Sequence, residues 1–245
     1  MSQIKVELQE FMGSDRSIAE AAWTSSLTYQ GKEKRTEEDV KRVVQMLAND
    51  RHSTPFESVI MRFWIKMPIQ TDRQHMTHRI GSHNGMSGRY RTMPSEYLDI
   101  PEDIQNISNK ITYKNIIELT NNRGISYNKE YDDILEAYYQ VCENANNTYS
   151  HLIALFKEEE QLGKITNIEF KRLREFYRGM LPQNNMTERI TIFNLRSFAN
   201  YQKLRNSSHA QPEIQLVAKL MLEEVKKQNI APIAIEWLEK NGWNI

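Results

Sequence analysis

An alternating stretch in the first third of the chain is the feature that most constrains the fold. In "ESVIMRFWIKMP", residues 57–68, apolar side chains recur at every second position, and Arg62 and Lys66 lie among the positions between them. A period of two places one set of side chains on a single face of a β-strand. That face consists of Val59, Met61, Phe63, Ile65 and Met67. The stretch therefore predicts a half-buried strand that ends at Pro68.

Other segments predict helices and one more strand. "TEEDVKRVVQMLAND", residues 36–50, has a capping Thr36, an acidic first turn and apolar residues at helical spacing. "PEIQLVAKLMLEEV", residues 212–225, is amphipathic and begins with proline. "IKVELQEF", residues 4–11, predicts a first strand, and "DRSIAEAAW", residues 15–23, predicts a short helix capped by Ser14 or Asp15.

The long middle of the chain, residues 103–175, is predicted to be mostly helical, with an interruption at the Asn-rich "NANNTY", residues 144–149. The whole pattern predicts an α+β fold in which a small, largely antiparallel sheet is surrounded by helices. A length of 245 residues is within the range of one large domain, so residues 1–245 are expected to form a single domain.

Composition narrows the possible functions. Lys plus Arg and Asp plus Glu both number 32 and the pI is about 7.0, which argues against coating nucleic acid through bulk charge. No run of about 18 apolar residues is present, and the N-terminus lacks a signal-peptide pattern. We therefore expect a cytoplasmic protein with neither membrane nor nucleic acid as partner.

One cysteine limits thiol and metal chemistry. Cys142 cannot form an intrachain disulfide or a cysteine-built metal cluster, and no metal is expected. Its setting in "AYYQVCENA" favours a buried, inert thiol over a reactive one.

A basic stretch is the main candidate for a functional site. "RQHMTHRIGSHNGMSGRYRT", residues 73–92, contains four arginines, three histidines and three glycines without an acidic side chain. One interpretation is an arginine-rich surface turn around Asn84 and Gly85. The other is a loop whose small residues, hydroxyls and guanidinium groups close on a phosphate, which we favour. Neither GxxxxGK[ST] nor GxGxxG is present, so the anion would be bound in another way.

Three blocks in this order resemble the flavin-dependent thymidylate synthase family. The first is "HSTPFE" at 52–57, and the second is the pattern HRxxSxNxxSxRY at 78–90. The third is "FNLRSFANYQKLRNSSHAQPEIQ" at 193–215. The resemblance covers roughly residues 4 to 225 and is weakest between 103 and 172, where the chain has extra helical material.

The resemblance implies an enzyme that reductively methylates dUMP to dTMP. FAD would take hydride from NADPH, and methylenetetrahydrofolate would donate the one-carbon unit. The relatives use no cysteine nucleophile, in agreement with the context of Cys142. The resemblance also implies a homotetramer whose active sites are built from several subunits.

Site residues follow from the resemblance position by position. Arg205 matches the arginine that faces the uracil ring and favours its ionised form, a role that suits a fixed cation. The positions that match dUMP-binding residues are Gln74, Ser87, Gly88, Arg89, Arg178 and Arg205. The positions that match FAD-contacting residues are Thr54, His78, Arg79, Asn194, Arg196 and Asn200. An ordinary solvated helix face is the alternative interpretation of Arg196, Asn200 and Arg205.

Two positions depart from the family pattern: Thr77 replaces the usual arginine and Gly85 the usual glutamate. We hypothesise that the two charges were lost as a compensated pair. The departures leave open a flavin-dependent hydroxymethylase, or another enzyme that modifies C5 of a pyrimidine deoxynucleotide.

Two further alternatives remain at this stage. A nucleotide- or nucleic-acid-binding module could use the arginines with Tyr90 and Tyr97, although the balanced charge argues against it. A cysteine-type thymidylate synthase would need Cys142 as nucleophile.

Overall fold

The computed structural model of the chain describes residues 3–26, 31, 33–111 and 134–244. The strands in these residues form a four-stranded sheet. The strand order within these residues is β1–β2–β4–β3, and the pairs β1–β2 and β3–β4 are antiparallel. The predicted α+β class with a small, largely antiparallel sheet is therefore confirmed. The strands are β1 (Lys5–Met12), β2 (Ile60–Pro68), β3 (Ser82–Gly85) and β4 (Met186–Asn194).

The chain divides into two compact units. The helical unit comprises the described part of Ser87–Met186, and the sheet unit comprises the described parts of Ser2–Met86 and Thr187–Ile245. The helices of the sheet unit are α1 (Asp15–Trp23), α2 (Glu37–Asn49), α3 (Ile69–His75), α7 (Leu195–Arg205), α8 (Pro212–Lys227) and α9 (Pro232–Lys240), with a 3₁₀ helix at Thr54–Ser58. The helical unit contains α4 (Glu102–Ser108), α5 (Ile134–Gln161), α6 (Asn167–Tyr177) and a 3₁₀ helix at Arg178–Met180.

Strand β2 forms the core of the sheet unit, as its alternation predicts. The five residues of its predicted inner face are fully buried: Val59, Met61, Phe63, Ile65 and Met67. The strand ends at Pro68, which is also the N-cap of α3. Burial of a large apolar side chain contributes about 1.5–3 kcal/mol, so this face is a main source of stability.

The predicted helices of the sheet unit are present with their expected caps. Ser14 caps α1 and Thr36 caps α2, each by a reciprocal capping box. Helix α8 packs against β1 and α7. Its predicted apolar stripe is buried: Ile214, Val217, Ala218, Met221 and Val225.

The predicted interruption at "NANNTY" is wrong, because helix α5 runs through it without a break. Asn146 donates from its side chain to the carbonyl of Cys142, one turn earlier, at 2.8 Å, and donates to Asn185 Oδ1 at 3.2 Å. Side-chain partners therefore satisfy a residue whose intrinsic preference is against helix. Cys142 itself is buried, as predicted.

Part of the extra helical segment predicted around 103–172 is described, as α4, α5 and the first residues of α6. Residues 112–133 of that segment lie outside the described residues. No helix in the described part of the chain is long and apolar enough to span a membrane.

Candidate functional site

A cleft in the sheet unit gathers many of the basic and polar side chains singled out by the sequence. It has a volume of about 640 Å³, which is within the usual size of a cofactor site. Its walls come from the turn after α3, from one face of α7, and from two more distant positions on the chain. The lining residues are Glu57, Thr77, His78, Arg79, Ile80, Arg196, Ser197, Asn200, Lys203, Leu204, Arg205 and Trp243.

Helix α7 supplies the polar wall because three of its residues recur at spacings of three and four. Arg196, Asn200 and Lys203 all line the cleft and therefore share one face of the helix. Asn194 starts the helix as its N-cap and accepts a hydrogen bond from the Ser197 backbone at 2.8 Å. Asn194 therefore fixes where helix α7 begins, but it is not one of the residues that line the cleft.

Arg205 is held at the end of α7 by the turn after α3. Its Nε donates to His78 Nε2 at 2.8 Å, and its Nη2 donates to Thr77 Oγ1 at 3.0 Å. Thr77 Oγ1 in turn donates to the carbonyl of Gln74 at 2.7 Å. Since His78 Nε2 accepts a proton donor, the imidazole of His78 is neutral in this arrangement.

Beneath the cleft lies a continuous series of hydrogen bonds, which we call the histidine network: Tyr201, His75, Thr191 and His83. Tyr201 Oη lies 2.9 Å from His75 Nδ1, and His75 Nε2 lies 2.9 Å from Thr191 Oγ1. His83 Nδ1 lies 3.1 Å from Thr191 Oγ1, and its Nε2 lies 3.1 Å from the carbonyl of His78.

The carbonyl of His78 sets the direction of the hydrogen bonds in the histidine network when His83 is a neutral imidazole. His83 Nε2 must donate to the carbonyl of His78, so in the neutral ring His83 Nδ1 accepts from the Thr191 hydroxyl. Thr191 then accepts from His75 Nε2, and His75 Nδ1 accepts from the Tyr201 hydroxyl. In this arrangement each ring nitrogen and the Tyr201 hydroxyl has one partner, and the Thr191 hydroxyl has two.

The pKa shifts agree with these protonation states. Burial, with added repulsion from Arg205 and His83, lowers the pKa of His78 to about 4. Burial, followed by the positive charges that His83 and Arg189 can carry, lowers the pKa of His75 well below its usual value. Burial raises the pKa of the Tyr201 phenol. Near pH 7 the side chains of His75, His78 and Tyr201 are thus uncharged.

A buried ion pair joins helix α3 to strand β4. Arg189 donates from Nη2 to Asp72 Oδ2 at 2.6 Å and from Nε to Asp72 Oδ1, with about a tenth or less of each side chain exposed. The guanidinium also packs against Gly85, where an added Cβ would lie 2.9 Å from Arg189 Nη2. A glutamate at position 85 would therefore require Arg189 to move.

The two departures from the family pattern have different neighbours. Thr77 contacts Arg205 and the Gln74 carbonyl, whereas Gly85 contacts Arg189. Asn84 and Gly85 belong to strand β3 and not to the tight turn that their sequence allows. Loss of the two charges as a compensated pair remains a hypothesis, and these separate neighbours favour independent effects.

Four of the predicted nucleotide-binding residues lie in the helical unit: Ser87, Gly88, Arg89 and Arg178. The Arg89 backbone donates to Ser87 Oγ at 3.3 Å, and Arg89 Nε pairs with Glu175 at 2.6 Å. Gly88 lies against the stem of Arg178, whose Cδ would be 2.7 Å from an added Cβ. A side chain at position 88 would thus displace Arg178.

Two more predicted residues lie outside the lining of the cleft. Thr54 begins the 3₁₀ helix Thr54–Ser58 and lines another cleft, beside Trp23 and His52. The Gln74 side chain, predicted to bind nucleotide, donates from Nε2 to Gln211 Oε1.

Several residues of the cleft and of the histidine network were not singled out from the sequence. Glu57 belongs to the quoted "HSTPFE" block and accepts from Arg196 at 2.7 Å. Lys203 could have been found from its helical spacing with Asn200. His75 and His83 were visible only as part of a basic stretch, and Trp243 had no signal.

Comparison with known proteins decides the family. Residues 7–233 match the family described as thymidylate synthase complementing protein. The chain belongs to this family. A flavin-dependent thymidylate synthase of Thermosipho melanesiensis is 32% identical over 214 residues, covering 87% of this chain and 81% of the relative. One from Kosmotoga olearia is 32% identical over 231 residues, covering 94% and 88%.

A solved structure shares the fold. The crystal structure of the UMP/dUMP methylase PolB from Streptomyces cacaoi, bound with 5-Br dUMP, has a TM-score of 0.67 and 22% identity, and the match covers 98% of this chain and 96% of that one. The family predicted from the three sequence blocks is confirmed, and with it the prediction that the chain is an enzyme.

The residues of the cleft fit the flavin cofactor that the resemblance implies. Arg79, Arg196 and Lys203 supply cations for phosphate groups, while Leu204 and Trp243 offer apolar surface for a ring. Ser197 Oγ, in the same lining, is buried without a hydrogen-bond partner in the described part of the chain. The donor set and the volume both suit a dinucleotide.

Proposed function

We propose that the chain is a flavin-dependent thymidylate synthase that converts dUMP to dTMP, with methylenetetrahydrofolate as one-carbon donor and NADPH as reductant through FAD. Bound FAD would supply the hydride chemistry. The observation that carries the proposal is the cleft itself, which brings His78, Arg79, Arg196, Asn200 and Arg205 together in a chain of this family.

We assign Arg205 to the pyrimidine. Its Nε and Nη2 are oriented by neutral acceptors, His78 Nε2 and Thr77 Oγ1, so its positive charge is not cancelled by these contacts. A fixed, uncancelled cation lowers the cost of negative charge that develops on a nearby ring. That is the role proposed for Arg205 toward the uracil of dUMP.

We assign the cofactor phosphates to the cations of the cleft. Arg196 is paired with Glu57 at the surface, where an ion pair contributes little and exchanges readily. A pyrophosphate could therefore replace the Glu57 carboxylate. His78, Arg79 and Asn200 complete this proposed set, and Thr54 and Asn194 remain proposed as FAD residues through the family pattern.

The phosphate of dUMP is assigned to residues of the basic stretch and to Arg178. Three consecutive residues offer a hydroxyl, a backbone N–H without a side chain beside it and a guanidinium: Ser87, Gly88 and Arg89. Gln74 is proposed as a further contact. Assembly as a homotetramer in the cytoplasm is part of the same proposal, and light scattering of the purified protein would test the assembly.

The decisive test is the mass of the nucleotide formed from dUMP with FAD, NADPH and methylenetetrahydrofolate. The proposal predicts a product heavier by one methylene group, and no product when FAD is omitted from apoprotein. A hydroxymethyl nucleotide would contradict it and establish the alternative activity. The Cys142→Ala variant is expected to keep full activity, since a buried thiol cannot act as the nucleophile.

A further inference from the structure

The C-terminal segment after α9 reaches the cleft although it lies beyond the part of the chain that the family model matches. The match ends at residue 233, whereas Trp243 is one of the lining residues. This segment is also held in place: the Trp243 backbone donates to Leu238 at 2.6 Å, and Lys203 donates to Asn244 Oδ1 at 2.6 Å. The contact with Lys203 ties the segment directly to the cleft face of α7.

The backbone of Trp243 adopts a conformation that a large side chain rarely takes. Its φ angle is +57°, in the left-handed region, where residues other than glycine are strained by about 1–3 kcal/mol. Gly242 before it also has a positive φ. The surrounding contacts therefore maintain an unfavourable turn at a residue that lines the cleft.

The indole of Trp243 packs against an aromatic ring and borders a cleft that contains basic side chains. Trp243 packs edge-on against the ring of Phe198, with centroids 6.1 Å apart and planes 88° apart. It is 8% exposed, and the cleft that it borders also contains Arg196 and Lys203. An aromatic surface beside cations is the combination that binds an aromatic heterocycle carrying phosphate.

We propose that Trp243 is a cofactor-binding residue, whose indole forms the apolar wall against which a ring of FAD packs while Arg196 and Lys203 face its phosphates. This inference rests on the proposed function and extends it to a residue outside the family match. Packing of Trp243 against Phe198 alone would stabilise the fold without any effect on the cofactor, so the two roles are separable.

Dissociation constants for FAD, measured by flavin absorbance after ultrafiltration, distinguish a cofactor-binding role of Trp243 from a purely structural one. Trp243→Leu is expected to weaken binding about tenfold, because stacking on one aromatic side chain contributes about 1–3 kcal/mol. Trp243→Phe retains an aromatic ring and should stay within about threefold of the wild-type chain. Trp237→Leu is the matched control: Trp237 precedes this segment on α9, lies under Lys240 and does not line the cleft.

Two results of this titration would overturn the proposal. One is equal affinity of the wild-type and Trp243→Leu chains for FAD. The other is a loss in Trp243→Leu that Trp243→Phe does not restore. Failure of the wild-type chain to bind FAD would instead overturn the proposed function itself.

A second measurement requires no disruptive variant. The chain is labelled with 5-fluorotryptophan, and the signals of Trp243 and Trp237 are assigned from their phenylalanine variants. Adding FAD should shift the fluorine signal of Trp243 and leave that of Trp237 in place. A Trp243 signal that does not move with FAD bound, or that moves with dUMP or NADPH but not with FAD, would overturn the assignment.

Discussion

The cleft and the histidine network beneath it are built from similar side chains but use them in opposite ways. In the network, each polar side chain has a hydrogen-bond partner, and the hydrogen bonds connect Tyr201, His75, Thr191 and His83 to the carbonyl of His78. In the cleft, positively charged groups collect on one face of α7 and at the turn after α3. Polar residues that satisfy one another stabilise a structure, whereas collected charges indicate a ligand.

The two regions meet at His78. Its carbonyl accepts from His83 in the network, its ring nitrogen accepts from Arg205 in the cleft, and its ring lies 4.7 Å from that of Tyr201 between centroids. Substitutions in the histidine network should therefore reduce the stability of the fold before they reduce activity. Substitutions in the cleft should reduce activity before they reduce stability.

The largest loss of stability is expected when the buried ion pair between Asp72 and Arg189 is broken. Asp72→Ala leaves the Arg189 guanidinium without its buried counter-ion, so the free energy of unfolding should fall by about 3–5 kcal/mol. Urea denaturation followed by circular dichroism measures the change. The exposed pair Glu236–Lys240 is the control, and Glu236→Ala should leave the denaturation midpoint unchanged. Equal midpoints for the two variants would show that the Asp72–Arg189 pair does not carry stability.

The next effect belongs to the cleft. Arg205→Leu should lower kcat/KM for dUMP by about 10²–10³, the usual result of removing one group that stabilises developing charge. Its melting temperature should remain close to that of the wild-type chain, because the side chain is only half-buried. Arg205→Lys keeps the charge but not the planar donors, so intermediate activity is expected. Wild-type activity in Arg205→Leu would remove the proposed role.

The next expected effect is a loss of stability at low pH, which depends on His78 and His75. The folded pKa of His78 is about 4 against 6.5 for an ordinary histidine, and that of His75 is also lowered. Between these values the unfolded chain binds protons that the folded chain does not. Stability is therefore complete above pH 6.5 and falls as the pH drops below that value, by at most about 1.4 kcal/mol per pH unit for each histidine.

Denaturation of the wild-type and His78→Gln chains at several pH values tests this dependence. The variant should lose less stability between pH 6.5 and 4 than the wild-type chain, because one titrating group is absent. Parallel curves for the two chains would contradict the lowered pKa of His78.

The smallest effect is expected at the end of the histidine network. His83→Gln can place an amide N–H near the position of His83 Nε2 and keep the bond to the His78 carbonyl, whereas the shorter His83→Asn cannot. One hydrogen bond contributes about 0.5–1.5 kcal/mol, so Asn should be less stable than Gln by that amount. Activity should follow the same order if His83 holds His78 in position. Identical stability and activity in both variants would show that this bond has no such role.

Local patterns made the elements predictable, whereas the network depends on contacts distant in sequence. The buried face of β2 and the cap at Thr36 follow from neighbouring residues and were correctly predicted. The contact of His75 with Thr191 joins residues 116 positions apart, which no local pattern encodes. Asn146 remains helical because Asn185, far along the chain, satisfies its side chain.

The candidate site was predictable only where sequence motifs mark it. His78, Arg79, Arg196, Asn200 and Arg205 belong to two of the quoted blocks, and the structure places them in one cleft. Lys203 lies within the third block without having been singled out. Trp243 lies outside all three, and only the turn after α9 brings it to the cleft.

The central claim is that the cleft holds the flavin, and equilibrium binding of FAD to a cleft variant tests it most directly. The double variant Arg79→Ala/Arg196→Ala removes two cations from the cleft, and Lys41→Ala/Arg42→Ala removes two exposed cations from α2. Since a hydrogen bond to a charged group contributes about 1.5–3 kcal/mol, the cleft variant should bind FAD at least about 100-fold more weakly. The α2 variant should bind like the wild-type chain. FAD bound with equal affinity by all three chains would contradict the account.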